Sequence, residues 1–306
     1  MIKPQNLSIF QMQNWRNKVM EGKNFLRTYT MKCGAMGGGF EIGNRSSPTE
    51  TALHISFSVE KSDAEAANTA KVQVWNLSDQ NLKVLDAADC VLELKAGYGN
   101  NNALILVGNI THVSTSMDGA DRMTELEVVD GRVELRESVV TVSFNGAVDC
   151  RDVYSYIAGQ MGVAIVFADG LEYKVLPNGF SFVGQARTAL QKIAECCGHV
   201  WTMQNQILQI TLPGHPVAVR GYVLSSDTGL IGTPKRIVIG SNIENEKAQT
   251  GWEVEYLLNG AIGINDTVQL ESHMARGYFR VHKVTFDGDN MEGDWVCTAQ
   301  LLEISA

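Results

Sequence analysis

In the stretch LHISFSVE, Leu53, Ile55, Phe57 and Val59 alternate with His54, Ser56, Ser58 and Glu60. Side chains of an extended chain point to opposite faces in turn, so this period of two gathers the apolar groups on one face and the polar groups on the other. A helix would scatter them around its circumference, whereas a half-buried antiparallel strand segregates them. The pattern returns in KVQVWN, VLELKAGYG, ALILVGNITHV, MTELEVVDG and VVTVSFNG, each bounded by Gly, Asn or Asp. Residues 27–145 therefore read as one antiparallel barrel or sandwich. Its one helix is expected in LSDQNLKVLDAA, with Ser78 or Asp79 as cap and Leu82 and Leu85 on one side.

The texture changes at residue 148. VDCRDVYSYIAGQMG opens on Asp149 as a cap, places Val153, Ile157 and Met161 at helical spacing and stops at Gly162. GQARTALQKIAECCG does the same with Ala186, Leu190, Ile193 and Cys197 before Gly198, and a hairpin, HVWTMQNQILQITL, follows. Residues 146–214 are thus expected to form a small α+β domain. Strands resume in VAVRGYVL, RIVIG, WEVEYLLN, DTVQLES, YFRVHKVTF and DWVCTAQLLEI, giving a second β domain over 215–306 and leaving 1–26 as a basic arm. The segments 109–128 and 280–303 echo each other: a strand ending in Val then Ser or Thr, an Asp/Gly turn and a second alternating strand. A duplicated fold would produce that echo.

Composition narrows the function classes. The 306 residues have room for two or three domains of ~100–200 residues each. No apolar run approaches the ~18 residues of a membrane helix, and MIKPQNLSIFQMQNW lacks the core of a signal peptide. The expectation is a soluble chain made in a cytosol, with Cys33, Cys90, Cys150, Cys196, Cys197 and Cys297 reduced and mostly buried. A net charge of −9 argues against general nucleic-acid binding, which needs surplus Lys and Arg. The charge is also polar along the chain: residues 1–32 carry six bases against one acid, and residues 252–306 nine acids against three bases.

Motifs that carry chemistry fail on spacing. SSDTGLIGTPKR, residues 225–236, lacks the P-loop pattern: its glycines are three apart, Pro234 removes an N–H where a donor is required, and a strand follows instead of a helix. The acidic DGDNMEGDW, counted from Asp287, has Met291 and Glu292 where a calcium loop wants an acid and a glycine, so a solvated hairpin turn is expected. CCGH offers Cys196, Cys197 and His199, but adjacent cysteines splay on a helix and no second ligand pair has zinc spacing. Nucleophile elbows, H-E-x-x-H and paired glycosidase carboxylates are not found. No catalytic residue, cofactor or metal is expected. In the arm, Phe10, Trp15, Arg16 and Lys18 mix aromatics with bases, and Ile9, Met12, Trp15 and Val19 fall on one side of a helix, as a docking arm would arrange them.

Four stretches together resemble the tail-hub, or baseplate-hub, proteins of tailed bacteriophages and related contractile injection systems. They are FSVEKSDAEAANTAKVQVWNLSDQNLKVL, with Phe57, Asn68 and Asn76-Leu77-Ser78; VLELKAGYGNNNALILVGNI; SSDTGLIGTPKR; and residues 252–303, where Leu-Leu-Asn, Asp-Thr-Val, Gly-Tyr-Phe and Gly-Asp-Trp segments follow in order. The match runs from about residue 50 to 306, and the first ~45 residues lie outside it. The resemblance implies a mainly β fold, two tail-tube-like antiparallel β-barrel domains with the α+β segment inserted between them. It implies a structural homotrimer in the virion tail, assembled in the host cytoplasm. Its partners would be the tail tube protein, the central spike or tail-tip protein, the tape measure protein and other baseplate proteins, with DNA only in transit and no membrane insertion. Three such chains present a pseudo-six-fold ring to the tube and a three-fold surface to the spike. On that reading Gly229, Leu230, Ile231 and Gly232 form an apolar loop tip touching a subunit or the spike, and Asp287, Asp289, Glu292 and Asp294 face the lumen or a partner. A tail-tip protein that binds host-surface carbohydrate or degrades cell wall, and a DNA-binding role for the arm, stay open as alternatives.

Overall fold

The computed structural model describes residues 26–35, 38–44, 52–64, 67–131, 138–240 and 248–304. The first β segment contains β1 (Arg27–Ala35), β2 (Gly38–Gly43), β3 (Ile55–Ser62), β4 (Thr69–Trp75), the short helix α1 (Asp79–Leu85), β5 (Val91–Tyr98), β6 (Asn101–Asp118) and β7 (Asp121–Val129). Ser78 caps α1, its side chain accepting the Asn81 N–H. The alternating apolar residues do face inward: Ile55, Phe57 and Val59 on β3 and Val72 and Val74 on β4 are buried.

The second β segment contains β15 (Ala218–Ser225), a 3-10 turn (Ser226–Thr228), β16 (Leu230–Ile239), β17 (Gln249–Leu257), β18 (Asp266–Glu271), β19 (Arg276–Asp289) and β20 (Trp295–Glu303). It is not separate from the first. Hydrogen bonding runs in the order β16, β17, β20, β19, β3, β4, β7, β6, β5, β1, β2, with β18 on β19 and β15 on β18. The seam is the antiparallel pairing of β19 with β3, from Lys283↔Ser62 to Asp289↔Ser56. Buried apolar residues of both segments, from Tyr29 to Leu301, make one contiguous core. Fully burying one Leu or Phe side chain stabilises by about 1.5–3 kcal/mol, so this core is the main reason the two segments hold together.

β19 divides at a bulge between Val281 and Lys283. Before it, residues 276–280 pair with β18; after it, 283–289 pair with β3. β6 carries the same feature, an extra residue between Ile110 and His112. Aligning the two hairpins puts the extra residues, Thr111 and His282, at matching positions, so the sequence echo corresponds to a shared irregularity. Bulges bend a strand and sharpen its twist.

Between the segments lie β8 (Val139–Phe144), β9 (Val148–Asp149), α2 (Cys150–Met161), β10 (Ala164–Phe167), β11 (Val175–Leu176), β12 (Phe180–Gln185), α3 (Ala186–Cys197), β13 (Val200–Gln204) and β14 (Ile207–Thr211). α2 begins, and both helices end, where the local signals place them. Asp149 accepts the Arg151 N–H, and Gly162 and Gly198 close α2 and α3 in the left-handed conformation. Val153, Ile157, Leu190 and Ile193 face a second core, separate from the first. One strand differs from expectation: β8, read as part of 27–145, pairs with β12, and its Val140 and Val142 are buried in this second core. Its alternation says that one face is buried and leaves the covering partner undetermined.

Candidate functional site

At the acidic hairpin tip between β19 and β20 the two β segments are joined by several side-chain contacts. Asp289 turns the chain, accepting the N–H groups of Met291 and Glu292 at 2.9 Å each. His54 Nε2 lies 3.0 Å from both carboxylate oxygens of Asp289, and the His54 ring stacks on Trp75 at 3.9 Å. Burial alone would raise the Asp289 carboxyl; the Glu292 N–H, the His54 ring and the Met291 N–H outweigh it and hold the group below its ordinary value. Arg27 of β1 donates to the Asp289 carbonyl at 2.6 Å and the Gly293 carbonyl at 2.8 Å, with its guanidinium 5.9 Å from the Trp295 ring centre. Asn290 accepts the Ile55 N–H at 2.8 Å and donates to the Leu53 carbonyl at 3.1 Å. The tip is therefore anchored to the first segment from several sides.

The four candidate acids divide. Asp287 accepts the Ser58 hydroxyl at 2.7 Å across the seam, and Asp289 is held as described, so both serve the protein's own structure. Glu292 and Asp294 are exposed. Asp294, Asp287, Lys71 and Gln73 line an open groove of about 260 Å³ beside the seam.

The loop 225–236 has another shape than expected. The Ser225 N–H and the Thr228 hydroxyl close the 3-10 turn at 2.8 Å, and Gly229, at φ +104°, reverses the chain at once. Pairing with β17 resumes at Leu230↔Tyr256 and Ile231↔Glu255, so these two residues are ladder members and not a projecting apolar tip; Leu230 packs on the main core. What projects is the bulge that follows, with Gly232 at φ +64°, Gly232 and Thr233 exposed and Pro234 buried. The left-handed glycine allows pairing to restart immediately, and the bulge hides the strand from a search for strict alternation. Phe10, Trp15, Arg16 and Lys18 lie outside the described residues.

Two buried polar clusters, unread in the sequence, fix the insertion to the β body. Asp130 is fully buried and accepts the Asn205 N–H at 2.6 Å, the Gln206 N–H at 3.1 Å and Asn68 Nδ2 at 3.3 Å. Asn68 Nδ2 also donates to the Met203 carbonyl, and Lys61 donates to Asn205 Oδ1 at 2.6 Å. Burial pushes Asp130 up, against the pull of Lys61 and its amide donors, and pushes Lys61 down to about 8, against the pull of Asp130. The β13–β14 turn thus plugs into a socket on the first segment. The second cluster fills the division of β19: Arg280 donates to Asn265 Oδ1 at 2.8 Å and to the Asp63 carboxylate, His282 Nδ1 sits 2.7 Å from Asp63, and Asn265 donates to Gln209 of β14 at 3.1 Å. Burial would raise Asp63; His282 and Arg280 outweigh it and lower it. Only the Asn68 motif hinted at either cluster.

Cys196 and Cys197, expected to splay, both reach Cys150 at the start of α2, a residue the spacing of CCGH could not supply. Among the described residues no helix is long and apolar enough to cross a membrane.

Neither a family model nor a curated protein sequence matches the chain. Solved structures do. A tail protein from Neisseria meningitidis superimposes with a TM-score of 0.57 at 11% identity, covering 90% of this chain and 96% of that one. A 43 kDa prophage tail protein from Shewanella oneidensis gives 0.56 at 9%, covering 90% and 98%. An Escherichia coli type VI secretion component, described as structurally similar to the T4 bacteriophage tail proteins gp27 and gp5, gives 0.56 at 10%, covering 84% and 76%. The chain has the fold of these tail proteins.

Proposed function

We propose that the chain is a structural hub of a phage tail or baseplate: a homotrimeric ring that joins the tail tube to the central spike or tail tip, nucleates tube assembly and passes DNA. The observation that carries this reading is the extent of the fold match, 90% of this chain against 96% of a tail protein, which spans both β segments and the insertion. Shared architecture supports a shared structural role here. The repeated hairpin irregularity at Thr111 and His282 supports a duplicated tube-like unit, so that three chains offer six similar faces. Among the described strands, β2, β15 and β16 each pair on one side only and leave edges for a neighbouring ring. The Gly232–Thr233 bulge on β16 is the subunit or spike contact on this reading, and Glu292 and Asp294 are the acids that face the lumen.

The test is the mass of the particle in solution, alone and with its tube and spike partners. A species of about three times the 33.5 kDa chain is expected. A chain that stays monomeric with both partners present refutes the hub, and clearing of peptidoglycan in a zymogram would replace it with a lytic tail-tip protein.

A further inference from the structure

We infer that Cys150, Cys196 and Cys197 form a binding site for one thiophilic closed-shell cation of the copper(I) or zinc class. This inference is independent of the hub reading. The three sulfur atoms all lie within 4.8 Å of one another. Metal–sulfur bonds of about 2.3 Å hold three sulfurs about 4 Å apart around one ion, so closure requires movements of less than about 1 Å. Such movements are available to thiols near helix ends.

The thiols come from two elements that the second core fixes independently. Cys150 is the first residue of α2 and fully buried; Cys196 and Cys197 end α3 and are half-exposed, which opens a path from solvent. Lys174 donates to the Cys196 carbonyl, tying the end of α3 to the segment before β11.

Ligand type and number set the ion class. Thiolates select soft ions such as copper(I) and zinc. His199 is occupied: Nδ1 faces the Tyr154 hydroxyl at 3.5 Å and Nε2 the Glu172 carbonyl at 3.2 Å. Among the described residues the cluster has three members, which suits three-coordinate copper(I) directly and zinc with one water in the fourth position. Either ion would tie the start of α2 to the end of α3 and stabilise the insertion by binding the folded state alone.

Titration of the reduced full-length chain with cadmium, as a spectroscopic stand-in for zinc, and separately with copper(I) released from a chromogenic chelator, tests the site. One equivalent per chain should give a sulfur-to-metal charge-transfer band, an X-ray absorption spectrum with three sulfur neighbours and a higher Tm. Cys150→Ser should lower affinity at least a hundredfold, more than the ~10–100-fold that outer-shell losses cost. Cys197→Ser, at a half-exposed position, should do the same and guards against failure of the first variant to fold. Cys33→Ala, in the other core, should leave binding unchanged. Absence of a band with both metals, or a band that survives both serine variants, overturns the proposal.

Discussion

Lys61 holds its ammonium inside the protein at 5% exposure, against Asn205 and near Asp130, with its pKa pushed down to about 8. In the unfolded chain a lysine titrates near ~10.4. Below pH 8 both states are protonated and the folded state carries the whole cost of the buried charge. Between about pH 8 and ~10.4 the folded chain releases its proton first, and the cost fades as pH rises. Buried thiols and tyrosines such as Cys297 and Tyr29, whose pKa values are raised, act in the opposite direction over that window. The measurable quantity is therefore the stability of wild type minus Lys61→Met by urea titration, which should climb by up to about 3 kcal/mol across the window; a flat difference would contradict it. Asp63, whose pKa is also lowered, gives a pH dependence of the same sign at the acid end. Its lowered pKa adds stability above the ordinary carboxylate range that is lost as pH falls through it. Asp63→Ala leaves Arg280, 4% exposed, without its counter-charge, and a loss of about 3–5 kcal/mol in urea unfolding is expected. Neither site was legible in sequence, because Lys61, Asp63 and Asp130 read as ordinary polar residues until residues 203–206 and 265–282 fold over them.

At the scale of elements, legibility follows the range of the forces involved. Both ends of α2 and the end of α3 could be read to the residue because Asp149, Gly162 and Gly198 act on their own helix ends. The strands could be read from alternation, but their neighbours could not: β8 goes to β12, and β3 meets β19 from the other end of the chain. A two-residue period states which face is buried and not what covers it. The convergence of Cys150 on Cys196 and Cys197 was hidden in the same way, by separation along the chain. The seam offers its own test. A Cβ on Gly288 would stand 2.3 Å from the Phe57 ring, and Phe57 is 3% exposed. Gly288→Ala should cost about 1–3 kcal/mol by overpacking and speed hydrogen exchange along β3, while α2 and α3 keep their protection. Unchanged exchange in β3 would mean that the seam is not where the strain falls.

For the whole molecule, charge and edges matter more than any single contact. Of the candidate acids, Glu292 and Asp294 remain free to act outward, since Asp287 and Asp289 are engaged at the seam and the turn. If they line the channel, reversing them to lysine leaves the fold intact and slows DNA ejection, because phosphates then bind the wall they should slide past. Ejection at the normal rate from particles carrying Glu292→Lys and Asp294→Lys would remove them from the lumen. The pairing of β19 with β3 has a mechanical consequence as well. A pull along these strands loads the seven register pairs from Lys283↔Ser62 to Asp289↔Ser56 together, in shear, instead of opening them one at a time. The bulge at His282 passes the remaining load to β18, so the two halves of the chain bear tension as a single beam and transmit a tug on one half to the other.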